Sequence, residues 1–355
     1  MELEKIGYND HWSDLREETG LQNFDIGRVI AEHKERYGVY TVEGEKEAEI
    51  TGNLRFSARS REDFPAVGDW VALLSVDSDQ AIIHRVLPRF NAISRQAVGR
   101  LGEKQIIAAN IDFAFLLQAA DRDFNLNRLE RYLSICYTAK VNPIILLTKT
   151  DLIEEQKIEE MTHLIRQRIN DVPVLAISNE SGDGYEELKN LIQAGKTYCM
   201  LGSSGVGKSS LMNNLTGKDQ MKTGAISGST GKGRHITSHR EMRVLDGGGI
   251  LIDNPGMREV GIADASTGLQ STFEDILLLA KNCKFKDCTH TNEIGCTVLQ
   301  ALENDEIDGN AYENYQKMQK EQAHYEASHA EKRRKDKEFG KMVKEFKKNR
   351  RKGKY

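Results

Sequence analysis

The sequence predicts a multidomain protein: a small N-terminal β-barrel, a central α/β domain and a C-terminal helical domain that binds a metal ion. Three observations support this: short alternating strands as far as about Leu87, alternating strands and helices from about Gln105, and a cysteine cluster near the C-terminus. The 355 residues are enough for two or three domains of ordinary size. We predict four segments: an appendage at 1–23, the barrel at 24–92, the α/β domain at 100–263 and the C-terminal domain at 264–355.

The composition is typical of a globular protein with a polar surface. Hydrophobic residues make up 39% of the chain and charged residues 29%, and the mean hydropathy is −0.55. The first residues do not form a basic stretch followed by an apolar one, and no apolar run approaches the ~18 residues of a membrane span. We therefore expect a cytoplasmic protein.

The barrel is predicted from five short runs of alternating polarity. Glycines and charged turns separate these runs, and no apolar period of helical length comes between them. About five short strands of this kind are typical of an OB-type barrel, a fold that binds nucleic acids in many proteins. The runs are 26–31, 37–42, 47–52, 69–74 and 81–87.

In the α/β domain, a P-loop follows the predicted strand Thr197 to Leu201 and opens a helix. Backbone N–H groups of such a loop face phosphate, Lys208 reaches the β and γ phosphates, and the Ser209 hydroxyl binds Mg²⁺. The alternative is a chance turn rich in glycine and serine. The predicted phosphate-binding residues are Gly202, Ser203, Ser204, Gly205, Val206, Gly207, Lys208, Ser209 and Ser210.

A base-recognition element precedes the P-loop. Thr148, Lys149, Thr150 and Asp151 follow the buried strand 143–147 and resemble the [N/T]KxD motif of GTPases. The Asp151 carboxylate can accept hydrogen bonds from N1–H and the 2-amino group of guanine, whereas adenine would present an acceptor there. Thr148 stands where asparagine is usual, and we expect its shorter side chain to support the loop and the base less well. An ordinary surface turn is the alternative.

A second element of the same kind is the loop at 177–180. Its Ser178 is expected to support base binding, and Asn179 stands where alanine is usual.

A γ-phosphate-sensing element is predicted at Asp253-Asn254-Pro255-Gly256, which resembles the DxPG motif of GTPases. Asp253 would hold Mg²⁺ through water, and the Gly256 N–H would contact the γ-phosphate. A plain turn is the alternative. Met257 follows, where many GTPases carry a glutamine that orients water, and a thioether cannot do this.

A switch segment is predicted at 223–238, where a Gly/Ser-rich stretch (223–233) leads into Gly233-Arg234-His235-Ile236-Thr237-Ser238. Thr237 can supply a second Mg²⁺ ligand, and His235 can order the attacking water, although loop packing is an equal alternative for His235. Ile236 lies where this segment is usually rich in threonine. The predicted catalytic residues are His235, Lys208 and Gly256.

The order of these elements is informative, because base recognition precedes the P-loop. Ordinary GTPases have the reverse order. Loops that meet at one edge of a sheet need proximity in space and not a fixed chain order. We therefore predict a circularly permuted GTPase domain.

The cysteine cluster predicts a zinc site. Its spacing, Cys283-x4-Cys288-x-His290-x5-Cys296, supplies three thiolates and one imidazole, which is a closed tetrahedral ligand set. With no position left for water, the site is expected to be structural. Buried cysteines without metal are the alternative.

The C-terminal tail is strongly basic. Residues 331–355 hold 13 Lys and Arg against four Asp and Glu. Such a helix can contact RNA phosphates, or it can be only a solvated helix face.

Taken in order, these motifs resemble the ribosome small-subunit-dependent GTPase A family (RsgA, or YjeQ) over about residues 24–300. The resemblance implies a GTPase that uses Mg²⁺ with GTP and carries one structural Zn²⁺. It also implies that the protein binds the 30S subunit and its 16S rRNA late in maturation, is stimulated by the subunit and leaves after hydrolysis. We expect a monomer. Two alternatives stay open at this point: a GTP-gated chaperone of another RNA, and a nucleotide-dependent binding module without significant turnover.

Overall fold

The computed structural model of the chain describes residues 3–33, 36–96, 104–121, 123–217, 240–253 and 266–327. None of the helices within these ranges is both long enough and apolar enough to cross a membrane.

The N-terminal strands close into a barrel. Around it the order is β1-β2-β3-β5-β4 and back to β1, with only β3 and β5 parallel. Val29, Val39, Val71 and Ile83 fill its interior, and the predicted OB-type barrel is confirmed. The strands are β1 (Asp25–His33), β2 (Arg36–Thr41), β3 (Gly44–Ile50), β4 (Trp70–Ser75) and β5 (Gln80–Val86).

The segments beside these strands pack on the barrel. A short 3-10 turn (Leu3–Ile6) and helix α1 (Asp10–Glu18) place Ile6 and Trp12 against Trp70. Helix α2 (Gly52–Ser57) and the 3-10 turn Arg61–Asp63 lie between β3 and β4.

The central domain is a mostly parallel sheet with helices on both faces. Its strand order is β10-β9-β8-β11-β13-β12, and only β12 runs antiparallel to its neighbour. Continuous apolar runs such as the one in β9 suit strands that are buried on both faces. The strands are β8 (Phe113–Ala119), β9 (Asn142–Thr148), β10 (Val174–Ala176), β11 (Thr197–Gly202), β12 (Arg240–Val244) and β13 (Ile250–Asp253), and the helices are α3 (Leu126–Ala139), α4 (Glu155–Arg168), α5 (Tyr185–Leu191) and α6 (Lys208–Thr216).

Three strands were not anticipated from the sequence in this form. β6 (Ala92–Gln96) pairs with β7 (Lys104–Ala109) in a separate two-stranded sheet between the barrel and β8. β12 is short and carries charged residues, so its pattern does not indicate a strand.

The barrel and the central sheet are continuous. Strand β1 pairs with β12, so that Ala31 lies opposite Glu241, and Glu241 lies opposite Asp253 of β13. A buried arginine reinforces the junction: Arg28 of β1 donates to the carbonyl oxygen of Gly68 (3.2 Å) and to Oγ1 of Thr197 (2.8 Å), at the start of β11. Burial lowers the pKa of Arg28 to about 10, although the carboxylates of Asp112 and Asp69 oppose this shift.

The C-terminal domain is a helical unit packed on α3. A Cβ atom at Gly268 would lie 1.9 Å from the carbonyl oxygen of Ser134, so only glycine permits this approach. The hydroxyls of Ser134 and Thr272 are 2.8 Å apart. Its helices are α7 (Ser266–Thr272), α8 (Glu274–Ala280), α9 (Thr297–Glu303) and α10 (309–327).

Candidate nucleotide site and metal centre

The predicted nucleotide motifs meet at one edge of the central sheet. Strands β9, β11 and β13 run parallel and end at Thr148, Gly202 and Asp253. Ligands of open α/β sheets bind at this edge, beyond the carboxyl ends of the strands. The fold therefore brings together loops that are far apart in the sequence.

The lysine of the P-loop is hydrogen-bonded to backbone carbonyl oxygens of its own loop. Gly205 (φ 82°) and Gly207 (φ 100°) have backbone conformations that favour glycine. The Nζ atom of Lys208 donates to the carbonyl oxygens of Gly202 and Ser203, both at 2.7 Å. Ser209 and Ser210, both half-buried, lie in the first turn of α6. The lysine and the first N–H groups of α6 thus lie at one concave loop, as a phosphate site requires.

Thr148 ties the base motif to the P-loop. Its side chain is fully buried, and its Oγ1 donates to the carbonyl oxygen of Val206 at 2.7 Å. The shorter side chain that stands in place of asparagine therefore makes a direct tether between the two motifs. Thr150 is buried at the start of the following 3-10 turn.

Asp151 is exposed at this edge, and a buried serine orients it. Ser178 Oγ donates to Asp151 Oδ1 at 2.6 Å. The same Oγ accepts from the backbone N–H groups of Glu180 and Ser181, at 3.2 and 3.1 Å. The structure thus brings together the two predicted base-recognition loops and leaves one edge of the Asp151 carboxylate for a ligand.

Asn179 links the second of these loops to the P-loop. Its Nδ2 donates to the carbonyl oxygen of Gly207 (3.2 Å), and its Oδ1 accepts from the hydroxyl of Tyr185 (2.7 Å). Asn214 of α6 also donates to the carbonyl oxygen of Asn179, at 2.7 Å. Sequence reasoning noted Asn179 only as a departure from the usual alanine and did not assign it this role.

The loop between β8 and α3 was missed by sequence reasoning. Its Asp121 accepts from Nζ of Lys149 at 2.9 Å, and its Asp123 accepts from Oγ of Ser203 at 2.7 Å. Arg128, in the first turn of α3, pairs with Asp123 at 2.7 Å. One loop thus contacts both the base motif and the P-loop. The available signal was two acidic residues directly after a buried strand at the binding edge.

Of the remaining residues predicted to bind Mg²⁺ or the γ-phosphate or to act on water, the structure describes Asp253 but not those of the switch segment or those that follow Asp253. Asp253 is 2% exposed and is the last residue of β13. The predicted His235, Thr237 and Gly256 lie outside the described residues, as do Ile236, Met257 and the tail at 331–355.

The four predicted zinc ligands converge. Cys283 Sγ lies 3.8 Å from Cys296 Sγ, and His290 Nδ1 lies 3.6 and 3.4 Å from these two sulfurs. All four ligand atoms, including Cys288 Sγ, lie within 4.8 Å of one another. A tetrahedron with Zn–S of about 2.3 Å and Zn–N of about 2.0 Å has edges of about 3.5 to 3.8 Å. The cluster therefore has the dimensions of a closed Zn²⁺ site.

The loop around the metal centre is ordered by its own hydrogen bonds. The Glu293 carboxylate accepts from the backbone N–H groups of Thr289 (2.8 Å) and Thr291 (2.9 Å). Tyr312 of α10 donates its hydroxyl to the carbonyl oxygen of His290. Burial lowers the pKa of His290, which favours the neutral imidazole that a metal requires.

Helix α3 connects the two sites. Its Glu130 is buried between Nε of Arg168 (2.7 Å) from α4 and Nδ2 of Asn314 (2.5 Å) from α10. Burial raises the pKa of Glu130, while Arg168 acts in the opposite direction. Arg131 pairs with Glu321 of α10 at 2.8 Å. The helix that begins beside the P-loop is thus the helix on which the C-terminal domain, with its candidate metal centre, packs.

Comparison with known proteins agrees with this geometry. The family model described as RsgA GTPase matches residues 86–263. The chain is 40% identical to Small ribosomal subunit biogenesis GTPase RsgA 1 of Bacteroides thetaiotaomicron, over 98% of this chain and 97% of that protein. It is 38% identical to Small ribosomal subunit biogenesis GTPase RsgA of Opitutus terrae, over 91% of this chain and 90% of that protein.

Solved structures show the same fold. The crystal structure of YjeQ from Thermotoga maritima matches with a TM-score of 0.59 and 25% identity, over 83% of this chain and 96% of that chain. YloQ, described as a circularly permuted GTPase, matches with a TM-score of 0.60 and 25% identity, over 84% of this chain and 95% of that chain. The predicted fold class, with its permuted order of motifs, is confirmed.

Proposed function

Because this chain belongs to the RsgA GTPase family, we propose that it is a GTPase of small ribosomal subunit biogenesis. It binds the 30S subunit as a monomer in the cytoplasm, is stimulated by the subunit, and leaves after hydrolysis. The observation that carries this proposal is the joining of the base and phosphate elements at one sheet edge, where Thr148 bonds Val206 and Ser178 orients Asp151.

Guanine is the base that this site fits. The Asp151 carboxylate, held by Ser178, can accept from the two adjacent donors of guanine. Adenine would place an acceptor against the carboxylate and leave the charge without a partner, a loss of about 1–3 kcal/mol or more.

The phosphate side of the site provides charge stabilisation. Lys208 and the backbone N–H groups of 202–210 bind the phosphates, and Lys208 exchanges its bonds to the carbonyl oxygens of Gly202 and Ser203 for bonds to phosphate. Ser209 and Asp253 offer a hydroxyl and a carboxylate, the hard oxygen donors that Mg²⁺ prefers, and Thr237 would add a second hydroxyl. Bound with GTP, Mg²⁺ neutralises charge on the β and γ phosphates.

Two further groups act on the nucleophile and the transferred phosphate. His235 orients the attacking water, and the Gly256 N–H contacts the γ-phosphate. Since Met257 cannot orient water, the free enzyme is expected to be slow. Docking on the subunit would bring His235 to the water.

Ribosomal contact is supported by the names of the relatives and by the RNA-binding potential of three parts of the chain. The OB-type barrel, the metal-binding domain and the basic tail at 331–355 each suit contact with 16S rRNA.

The proposal is tested by measuring hydrolysis of GTP and ATP with and without purified 30S subunits. We expect GTP to be preferred and its turnover to rise when subunits are added. Stimulation by other RNAs but not by subunits would indicate an RNA chaperone instead. GTP binding without phosphate release under every condition would indicate a binding module.

A further inference from the structure

The barrel carries its charges in an unusual distribution for a nucleic-acid-binding OB fold. OB folds bind oligonucleotides on the face of strands 2 and 3 and on the adjoining loops, including the loop between strands 4 and 5. In this chain the outward side chains of β3 are Glu45, Glu47 and Glu49, all exposed. Arg36 of β2 is engaged with Glu47 at 2.8 Å and with Glu49 at 3.6 Å.

The turn between β4 and β5 adds to this acidic surface. Asp77 and Asp79 are both exposed there, and Asp77 Oδ1 accepts from the backbone N–H groups of Asp79 (2.9 Å) and Gln80 (2.7 Å). These bonds make the Asp77 carboxylate part of the turn. Because nucleic-acid binding depends on neutralising phosphates with cations, this face would repel an RNA backbone.

The segment 52–63, which contains α2 and the following 3-10 turn, differs from that surface because it carries three arginines against Glu62 and Asp63. Phe56 is 92% exposed, and Arg55, Arg59 and Arg61 are exposed around it in the sequence. An aromatic ring flanked by cations is the combination by which proteins bind single-stranded nucleic acid, through base stacking and phosphate contact.

Local hydrogen bonds hold this segment in shape. Thr51 caps α2 by accepting from the N–H of Leu54 at 3.1 Å. Asp63 Oδ2 accepts from the N–H groups of Arg59 (2.7 Å) and Ser60 (3.1 Å), so this carboxylate serves the turn itself. The arginines are thus presented on a fixed backbone, and Phe56 is not needed for the barrel interior.

The basic surface extends beyond the segment. The 3-10 turn Arg61–Asp63 contacts β7, and the β6–β7 pair carries Arg95 and Lys104, both half-buried. Cationic residues are thus present from α2 through the 3-10 turn to the β6–β7 pair that adjoins it.

We propose that the barrel contacts unpaired RNA through residues 52–63, with Phe56 stacking on a base and Arg59 and Arg61 contacting phosphates. The acidic face formed by β3 and the turn between β4 and β5 stays away from the RNA. This inference rests on the proposed function, because it assigns the ribosomal RNA partner to one surface.

The test uses the full chain with two probes: purified small ribosomal subunits in a sedimentation assay, and a fluorescein-labelled 12-mer oligouridine in an anisotropy titration. Phe56→Ala is expected to weaken oligouridine binding about fivefold or more, as the loss of one stacked base does. Arg59→Ala is expected to lower the slope of log affinity against log salt by about 0.7. Both should also weaken subunit binding and leave basal GTP hydrolysis unchanged.

Glu45→Ala is the matched control, since it removes an exposed charge from the other face. It should bind both probes at least as well as the wild type. The inference would be overturned if the Phe56 and Arg59 variants bound both probes with wild-type affinity. It would also be overturned if only the Glu45 variant lost subunit binding, because that result would indicate that a basic protein binds the acidic face. If oligouridine binding depends on Phe56 but the wild type does not bind subunits, the surface assignment stands and the proposed function fails. If the wild type binds neither probe, both fail.

Discussion

The candidate metal centre draws on four residues within 283–296, whereas the candidate nucleotide site draws on side chains from Asp121 through to Asp253. The short zinc loop is ordered by local bonds such as those of Glu293, and the bound ion would hold its thiolates together. The nucleotide site is different, because its loops are already tied to one another without a ligand. Thr148 and Val206, 58 positions apart, are bonded directly.

This difference predicts what each site loses when one group is removed. A closed metal site depends on every ligand, so one substitution should abolish it. A nucleotide site whose loops are joined by several hydrogen bonds should lose only part of its GTP affinity with each bond that is removed, and it should keep its fold. The variants below test this contrast, starting with the largest expected effect.

Replacing a metal ligand should have the largest effect. Cys288→Ala removes one of four ligands, and structural Zn²⁺ contributes about 10–16 kcal/mol of apparent binding free energy near pH 7. We expect the variant to lose its metal, measured by mass spectrometry, and residues 283–296 to become susceptible to protease. Intrinsic GTP hydrolysis should stay near the wild-type rate.

The control for that variant is Asp287→Ala, which changes an exposed residue between the ligands. It should retain one metal per chain. A wild-type protein without metal would show that the cluster is only a group of cysteines.

Loss of the water-positioning group should have the next largest effect. His235→Ala is expected to reduce subunit-stimulated turnover by roughly 10²- to 10⁴-fold, with GTP affinity unchanged, because a positioned acid–base group acts on the transition state. Single-turnover hydrolysis with saturating subunits measures this. If the variant is still fully stimulated by the subunit, the attacking water is oriented by rRNA or by another residue.

Base selection should be sensitive to one carboxylate. Asp151→Asn replaces an acceptor by a donor opposite the guanine N1–H, and we expect GTP affinity to fall at least tenfold, or about 1.5–3 kcal/mol. The change is measured by titrating GTP or ATP against a fluorescent guanine nucleotide bound to the protein and comparing how well each displaces it. Unaltered competition would remove Asp151 from the base site.

The tether from Thr148 should contribute less. Thr148→Val keeps the shape of the side chain but leaves the carbonyl oxygen of Val206 without this donor, so we expect about a fivefold weaker GTP affinity, or ~1 kcal/mol. Thr148→Asn restores the residue that is usual in GTPases and is the matched comparison. Equal affinities in all three proteins would show that the tether has no part in nucleotide binding.

The pair beside the P-loop should have the smallest effect. Arg128→Ala leaves the Asp123 carboxylate uncompensated near the phosphates, and for a half-exposed pair we expect about a threefold rise in KM for GTP, or 0.5–1 kcal/mol. The double variant Arg128→Ala/Asp123→Asn removes that charge and should recover part of the loss. If the double variant is worse than the single one, Asp123 acts through Ser203 more than through its charge.

The features that the sequence could predict are those defined by residues close together in the chain. The zinc ligands, the P-loop residues and Asp151 could be predicted from the sequence because the spacing of residues defines these motifs. The partners Asn179, Asp123 and Arg128 were not, because their contacts join loops far apart in the chain; Arg128 and Ser203 are 75 positions apart. Glu130 was missed for a related reason, since a charged helical position indicates solvent unless its buried partners Arg168 and Asn314 are known.

Fold prediction had similar limits. The five barrel strands and the parallel strands of the central sheet carry clear period-two or continuous apolar patterns. β12 does not, because its neighbours β1 and β13 and not its own residues determine that it is a strand.

The pairing of β1 with β12 joins the barrel to the central sheet by backbone hydrogen bonds. A single row of backbone neighbours runs from Ala31 of the barrel through Glu241 to Asp253, at the predicted magnesium position. The register of this row resists sliding, because moving one strand past another by one residue would break the backbone hydrogen bonds and shift each side chain to the opposite face. We therefore expect a rigid partner bound to the barrel to act, through these paired strands, on the floor of the candidate nucleotide site.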